Sequence, residues 1–366
     1  MVNNSISNNL TEHNSTSTRQ HYLWGDITKG IAITLVVAGH SYFPKNFSDF
    51  IYLFHMPLFF ILAGYFFDFS KYCDNFKLLL LTSAKRLLLP ALLWKLVFFN
   101  ITSRKFLDNL LIILYASGRN VLKFKTSIGS AWFLPCLFLV RIFLWTFLKL
   151  TKKFESNDFV NCIIAFFITS SGILIGKYIK LPWSFDIALS VLYITYIGYL
   201  LNKYNFFKKK FLLLFTYAGA LILGYIDYKY FGLDLNSRIY TNPFISLNTA
   251  IGLSIIVIRF SMLLEKINIT YLNLLLKYLG LNSLIILLSH HLAYSEKFTI
   301  CQTIFTKVLM VIPDYSYKFG ICLTIWRFAA SIAIIELLAL FPATKKIFSA
   351  VSIVSIFKEH KQNQTI

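Results

Sequence analysis

Cysteine is scarce in this sequence of 366 residues: five are present, Cys73, Cys136, Cys162, Cys301 and Cys322. They are scattered, odd in number and without a Cys-x-x-Cys pair, so neither a disulfide framework nor a zinc site is indicated. They read as small apolar fillers. No metal-ligating motif, phosphate-binding loop or dinucleotide fingerprint appears, and no metal is expected. A Gly-x-Ser-x-Gly elbow is absent, as are a fixed-period repeat and a soluble domain at either end. Carboxylates are also few, 16 Asp and Glu against 36 Lys and Arg, for a formal net charge of +20. These cations lie in short segments between apolar runs rather than on one face. The pattern fits the loop bias of membrane proteins, and no nucleic-acid partner is expected.

What is present is apolar surface. Hydrophobic residues make up 57% of the chain and mean hydropathy is +0.64, against about 45–50% apolar in soluble proteins. Ten spans of ~20 residues would use ~200 residues. The expected fold is therefore an all-α integral membrane protein, a polytopic bundle of about ten transmembrane helices in the lipid bilayer. The runs lie near 27–44, 50–68, 86–101, 131–150, 159–176, 184–202, 211–227, 243–260, 277–296 and 320–340. Residues 1–22 form a polar tail too poor in apolar residues to fold. Residues 23–345 form the membrane domain, and 346–366 a basic cytoplasmic tail. With the N-terminus inside, inner segments carry 20 cations and outer segments 13. This bias puts both termini in the cytoplasm; the protein is expected in the inner (cytoplasmic) membrane. Phe106–Tyr115 is too short to span and reads as an interfacial or re-entrant helix.

The stretch from Trp24 to Phe67 places Asp26, Lys29, His40 and His55 in or beside apolar runs. Ionisable groups at membrane depth are costly and are functional candidates by default. Lys29 and His40, eleven residues apart, share a helix face at roughly 16 Å. A turn at Pro44–Asp49 brings His55 back towards His40, and His290 reaches a similar depth on the ninth span. Each histidine alone serves equally well as a bond to a carbonyl across helices; together they point to chemistry. A neutral imidazole can take a proton from a hydroxyl. Lys29, Lys85 and Arg86 could hold phosphates. The plainer readings are snorkelling for Lys29 and topology-setting charge for Lys85 and Arg86.

Several blocks carry a family resemblance. Asp26-Ile27-Thr28-Lys29-Gly30 precedes His40, and Phe54-His55-Met56-Pro57-Leu58-Phe59-Phe60 and Ala63-Gly64-Tyr65 follow. Then come Lys85-Arg86 running to Pro90, Ala131-Trp132-Phe133-Leu134-Pro135, and Gly280 to His290. In this order they resemble the membrane-bound acyltransferase-3 superfamily, on the side of the fucose 4-O-acetylases and related acetyltransferases. The likeness runs from about Trp24 to the last span. Lys29 stands where many members have arginine, and Arg86 stands without a second arginine. The resemblance implies an O-acyltransferase moving acetyl from cytoplasmic acetyl-CoA, the acyl-CoA donor, to a hydroxyl of a cell-envelope or exported carbohydrate or glycolipid. It implies His40 as general base with His55 or His290 assisting, and Lys29 and Arg86 as contacts to the phosphates of CoA. Direct transfer is favoured over a covalent acyl-enzyme.

Arg141 and Arg327 fall inside predicted spans and need partners or a wet cavity; Asp186, Glu296 and Glu336 are the candidates. Trp132 and Phe133 fit an interfacial aromatic belt better than an acceptor route. Gly64 and Gly219 are expected to permit close helix packing. The alternative function is a transporter or flippase of a lipid-linked glycan. It gives no reason for the Lys29–His40 spacing, and such proteins more often show internal repeats.

Overall fold

The computed structural model describes residues 22–99, 106–117, 129–294 and 316–364. Apart from Tyr22, the N-terminal tail lies outside them, as do Cys301 and Glu296. The described chain is almost entirely helical. Its one ribbon is antiparallel, β1 (Leu233–Asp234) against β2 (Ile239–Tyr240).

The first helix, α1 (Leu23–Gly39), is the axis of the bundle, with Ile27, Ala32, Ile33 and Val37 buried. It is followed by α2 (Lys45–Tyr52), α3 (His55–Tyr65) and the short α4 (Phe69–Tyr72). Next comes a continuous helical run, α5 (Phe76–Ser83), a π-helical turn (Ala84–Leu88) and α6 (Leu89–Phe99). The ten residues predicted to be too short to span form α7 (Phe106–Tyr115). Beyond it lie α8 (Phe133–Lys153), α9 (Asp158–Tyr178), α10 (Phe185–Ser190), α11 (Leu192–Lys203) and α12 (Lys210–Tyr230). The β ribbon leads into α13 (Pro243–Ile267), α14 (Thr270–Leu281) and α15 (Ser283–Ser289). After these come α16 (Tyr317–Leu340), α17 (Pro342–Phe348) and α18 (Ile353–Gln364).

Six described helices are long and apolar enough to cross a membrane, or eight if two bent pairs each count as one span. The expectation of about ten is met only in part, for local reasons. The α1 helix has 17 residues, about 25 Å, slightly less than the ~30 Å hydrocarbon core. The α5–α6 run carries Lys77, Lys85, Arg86 and Lys95. Expected spans 184–202 and 277–296 are broken: α10 and α11 meet at 58°, α14 and α15 at 66°. At the second break Asn282 replaces the missing helix bonds. Its amide donates to Tyr278 O and Val351 O, both at 3.0 Å, and its carbonyl accepts from Val351 N at 3.0 Å. Peripheral helices turn apolar side chains outward, such as Phe167 and Leu174 on α9 and Phe211, Phe215 and Ile222 on α12. In lipid that is the stable arrangement.

Small residues set how closely the central helices cross. A Cβ on Gly30 would lie 2.1 Å from Leu276 O, and one on Gly280 1.9 Å from Asp26 O, so α1 and α14 touch backbone to backbone. Gly64 and Gly198 do the same for α3 and α11, against Thr195 O at 1.9 Å and Ile61 O at 2.2 Å. Gly64 thus packs as expected, whereas a Cβ on Gly219 would meet nothing within 4 Å among the described residues. Gly64→Val should therefore sharply lower the yield of monodisperse protein in detergent. Gly219→Ala should leave it unchanged or raise it slightly, since glycine weakens a helix interior by about 0.5–1 kcal/mol. Size-exclusion profiles of both variants check this; a normal profile for Gly64→Val would refute the close crossing.

Candidate active site

At its C-terminal end α1 would leave its last carbonyls without partners. Here Arg327 on α16 fills the gap. Arg327 is 2% exposed, and its Nη1 donates to the His40 carbonyl and lies 3.5 Å from Ser41 Oγ. Ser41 Oγ in turn donates to Val37 O at 2.6 Å. The costly Arg327 is thus a cap that holds the backbone of His40 in place.

Opposite that cap the chain brings histidines together. The ring centroids of His40 and His290 are 5.4 Å apart, those of His40 and His291 4.7 Å, and those of His290 and His291 4.0 Å. His55 begins α3, is 3% exposed and packs edge-on against Tyr52, with ring centroids 4.8 Å apart. Its Nδ1 donates to Ile51 O at 2.9 Å. His290 is fully buried and its Nδ1 donates to Ile286 O at 3.0 Å. A carbonyl can only accept, so Nδ1 carries the proton in both rings and Nε2 presents its lone pair. Among the described residues, His290 Nε2 has no hydrogen-bond partner. His40, His55 and His291 line one cavity of about 250 Å³, together with Tyr52, Trp132 and Asn236.

A second cavity, about 470 Å³, opens beside the other end of α1. Lys29, Arg86 and Arg141 line it, with Asp26 as its one carboxylate among the described residues. Lys29 Nζ lies 2.5 Å from Asp26 Oδ1, which holds the ammonium at the wall. Arg86 sits in the π-helical turn. Such a turn takes an extra residue, shifts the register and is frequent at functional sites. Lys85, its neighbour, does not line the cavity. Arg141 reaches it from α8, with its Nε donating to Ser83 Oγ at 2.9 Å. Farther in the walls are apolar, including Phe59, Phe133 and Leu137.

The two cavities share Met56 and Leu287. Along α1, Lys29 and Ile33 line the first, and Val36 and His40 the second. That series steps by four, three and four residues, one helix face, as the Lys29–His40 spacing predicts. All five residues singled out in the sequence therefore lie in or beside two abutting cavities. Lys29 and Arg86 line the cationic one, and His40 and His55 the other. His290 stacks on His40 from behind without lining either.

Six residues of the site were either not singled out in the sequence or were given another reading there. His291 lies closer to His40 than His290 does; the signal was the doublet itself, placed just past the end of α15, where two consecutive rings can face one neighbour. Arg141 gives the cationic cavity a second guanidinium. Trp132 and Phe133 are each 4% exposed, and they line the two cavities rather than a belt. The β ribbon contributes Asp234 and Asn236. The expected ion-pair partners also differ. Asp186 pairs with Arg238, Nε to Oδ2 at 2.8 Å, while Glu336 accepts from Tyr278 Oη at 2.9 Å and Ser352 Oγ at 2.7 Å.

The nitrogens of His40, His290 and His291 lie within 4.8 Å of one another, a cluster that three-histidine metal sites also need. The Arg327 guanidinium on the His40 carbonyl sets a fixed positive charge against the same group, which opposes a divalent cation. In the cationic cavity the charge balance favours an anionic ligand, and its apolar depth favours a ligand with a long uncharged arm.

No curated protein and no solved structure matches the chain. The model of one family, described as an acyltransferase domain, matches residues 22–341. That match takes in both cavities and nearly every helix, so this chain belongs to the acyltransferase-3 family and is a membrane acyltransferase.

Proposed function

We propose that the protein is an O-acetyltransferase of the inner (cytoplasmic) membrane. It moves acetyl from cytoplasmic acetyl-CoA to a hydroxyl of a cell-envelope or exported carbohydrate. The observation that carries this reading is the meeting of a cationic cavity and a histidine-lined cavity at Met56 and Leu287. The donor's phosphates sit with Lys29, Arg86 and Arg141, and its pantetheine arm follows the apolar wall towards His40. The acceptor enters from the histidine side. Donor and acceptor then meet inside the bundle with no carrier movement. Both termini face the cytoplasm in this reading, as the 20-to-13 distribution of cations favours.

His40 takes the proton of the acceptor hydroxyl. The oxygen attacks the thioester carbonyl, the new C–O bond forms, the C–S bond breaks, and the thiolate of CoA receives the proton. His55, His290 and His291 orient His40 or share the proton. Their Nε2 lone pairs, fixed at His55 and His290 by the Nδ1 bonds, suit acceptance rather than donation.

Mass spectrometry of surface glycans from cells with and without the protein tests the assignment. A glycan that loses one acetyl increment when the protein is removed is the expected result. Unchanged glycans beside an acetyl loss from a lipid or peptide would move the acceptor to that class.

A further inference from the structure

The histidine cavity has one wall that is not helical. Asp234, Leu235 and Asn236 supply it, from the end of β1 and the turn that follows it. A two-stranded ribbon with two residues per strand has little stability of its own, yet this one is fixed from several sides. Arg238 is 3% exposed in its side chain and Asp186, on α10, 1%. The guanidinium meets the carboxylate through Nε at 2.8 Å and Nη2 at 3.3 Å, and its Nη1 donates to the Asn236 carbonyl at 2.8 Å. Tyr240 Oη and Ser190 Oγ lie 2.6 Å apart. Asp227 accepts from Gly232 N at 3.2 Å and Ser246 Oγ at 2.7 Å. Asp234 Oδ1 accepts from Ser237 N at 3.1 Å.

One atom of this braced turn is unused. Asn236 Oδ1 is buried and has no hydrogen-bond partner among the described residues. A buried acceptor left alone is costly, and here it belongs to a residue that lines the cavity with His40, His55 and His291. Among the described residues the cavity is lined by no Lys or Arg, so an anionic occupant is not favoured. It does hold the Trp132 ring, a Tyr52 side chain and Ser130. An aromatic face beside several hydrogen-bonding groups suits a polyhydroxylated ring. At about 250 Å³ the space is below the roughly 300–1,000 Å³ of drug-sized ligand pockets. It admits one ring and leaves the rest of a longer chain outside.

We propose that the β1–β2 turn is the acceptor-recognition element: Asn236 Oδ1 accepts a hydrogen bond from a second hydroxyl of a single sugar ring whose reacting hydroxyl faces His40. Arg238 is a positioning residue, holding the Asn236 backbone against Asp186. This deepens the acetyltransferase reading and rests on it. Specificity then resides in a segment separate from the donor cavity, so acceptor preference can change without loss of donor binding.

The test is transfer of labelled acetyl from acetyl-CoA in membranes containing the full chain, with a panel of hexose and deoxyhexose methyl glycosides as acceptor probes. Asn236→Ala should raise the KM for the preferred glycoside about 3- to 10-fold, the loss of one hydrogen bond, with the KM for acetyl-CoA unchanged. Asn236→Asp keeps the accepting oxygen and should restore most of the affinity. Arg238→Lys keeps charge opposite Asp186 but loses the Nη1 bond, and should raise the same KM without affecting the donor. An unchanged glycoside KM in Asn236→Ala, or a donor KM that rises instead, overturns the proposal while leaving the acetyltransferase reading intact. Failure of the wild-type protein to acetylate any glycoside, beside transfer to another acceptor class, overturns the proposal and the carbohydrate acceptor of the acetyltransferase reading.

Discussion

His40→Gln should lower acetyl transfer by about 10²- to 10⁴-fold, the usual contribution of a positioned base, while acetyl-CoA still binds. Glutamine keeps much of the size and polarity of the ring but cannot take a proton at neutral pH. Donor binding persists because the cationic residues lie at the other end of α1, roughly 16 Å away. The backbone of His40 should also stay in place, because Arg327 grips its carbonyl rather than its ring. His55→Gln should retain measurable turnover, since its ring packs against Tyr52, with centroids 4.8 Å apart, and serves to orient its neighbours. His291→Gln should fall between the two, given its ring centroid 4.7 Å from that of His40. Labelled-acetyl transfer in membranes, normalised to folded protein and paired with a donor-binding assay, separates these outcomes. Near-normal turnover by His40→Gln removes it as the base; a dead His290→Gln or His291→Gln beside an active His40→Gln moves the base to the doublet. Turnover that collapses on chelation and returns with a divalent ion would instead make the cluster a metal site.

The membrane class and the family were legible because they rest on long-range composition and ordered blocks, and the family match over residues 22–341 takes the chain out of the transporter class. The Lys29–His40 face was legible because α-helix geometry converts spacing into direction. What the sequence did not reveal depends on packing between distant segments. Arg327 reads as a charge in a span until α16 is laid against the end of α1. Arg141 and Ser83 are 58 residues apart, and only the crossing of α8 with the π-helical turn unites them. The Asp186–Arg238 pair joins a helix start to a turn 52 residues away. Helix breaks were hidden for a different reason. Hydropathy counts apolar residues without seeing that Asn282 can bond Val351 on both its polar atoms and so permit a 66° bend. Two predicted spans that break in this way lower the count of straight crossing helices, although their apolar content is as expected.

Arg86→Ala should weaken acetyl-CoA, raising its KM about 10- to 150-fold, whereas Lys85→Ala should leave it near the wild-type value. The two residues are adjacent and equally charged, so a role in topology alone would treat them alike. The structure distinguishes them: both lie in the π-helical turn Ala84–Leu88, but only Arg86 lines the cationic cavity. A guanidinium meets a phosphate through two parallel bonds, which an ammonium cannot reproduce. Removing such a charge-assisted contact costs about 1.5–3 kcal/mol, the source of the expected range. Arg86→Lys should recover only part of the affinity, because charge returns without the fork. Lys29→Ala should have a smaller effect than Arg86→Ala, since its ammonium is shared with Asp26 at 2.5 Å. Arg141 limits the loss in each single variant by remaining in the same cavity, so Arg86→Ala combined with Arg141→Ala should lose more than either alone. The measurement is donor KM and direct acetyl-CoA binding in membranes, with reporter fusions near the C-terminus confirming that topology is unchanged. Equal effects of Arg86→Ala and Lys85→Ala on topology, with no change in donor KM, would return both residues to the role of loop charge and leave the cationic cavity without its principal phosphate contact.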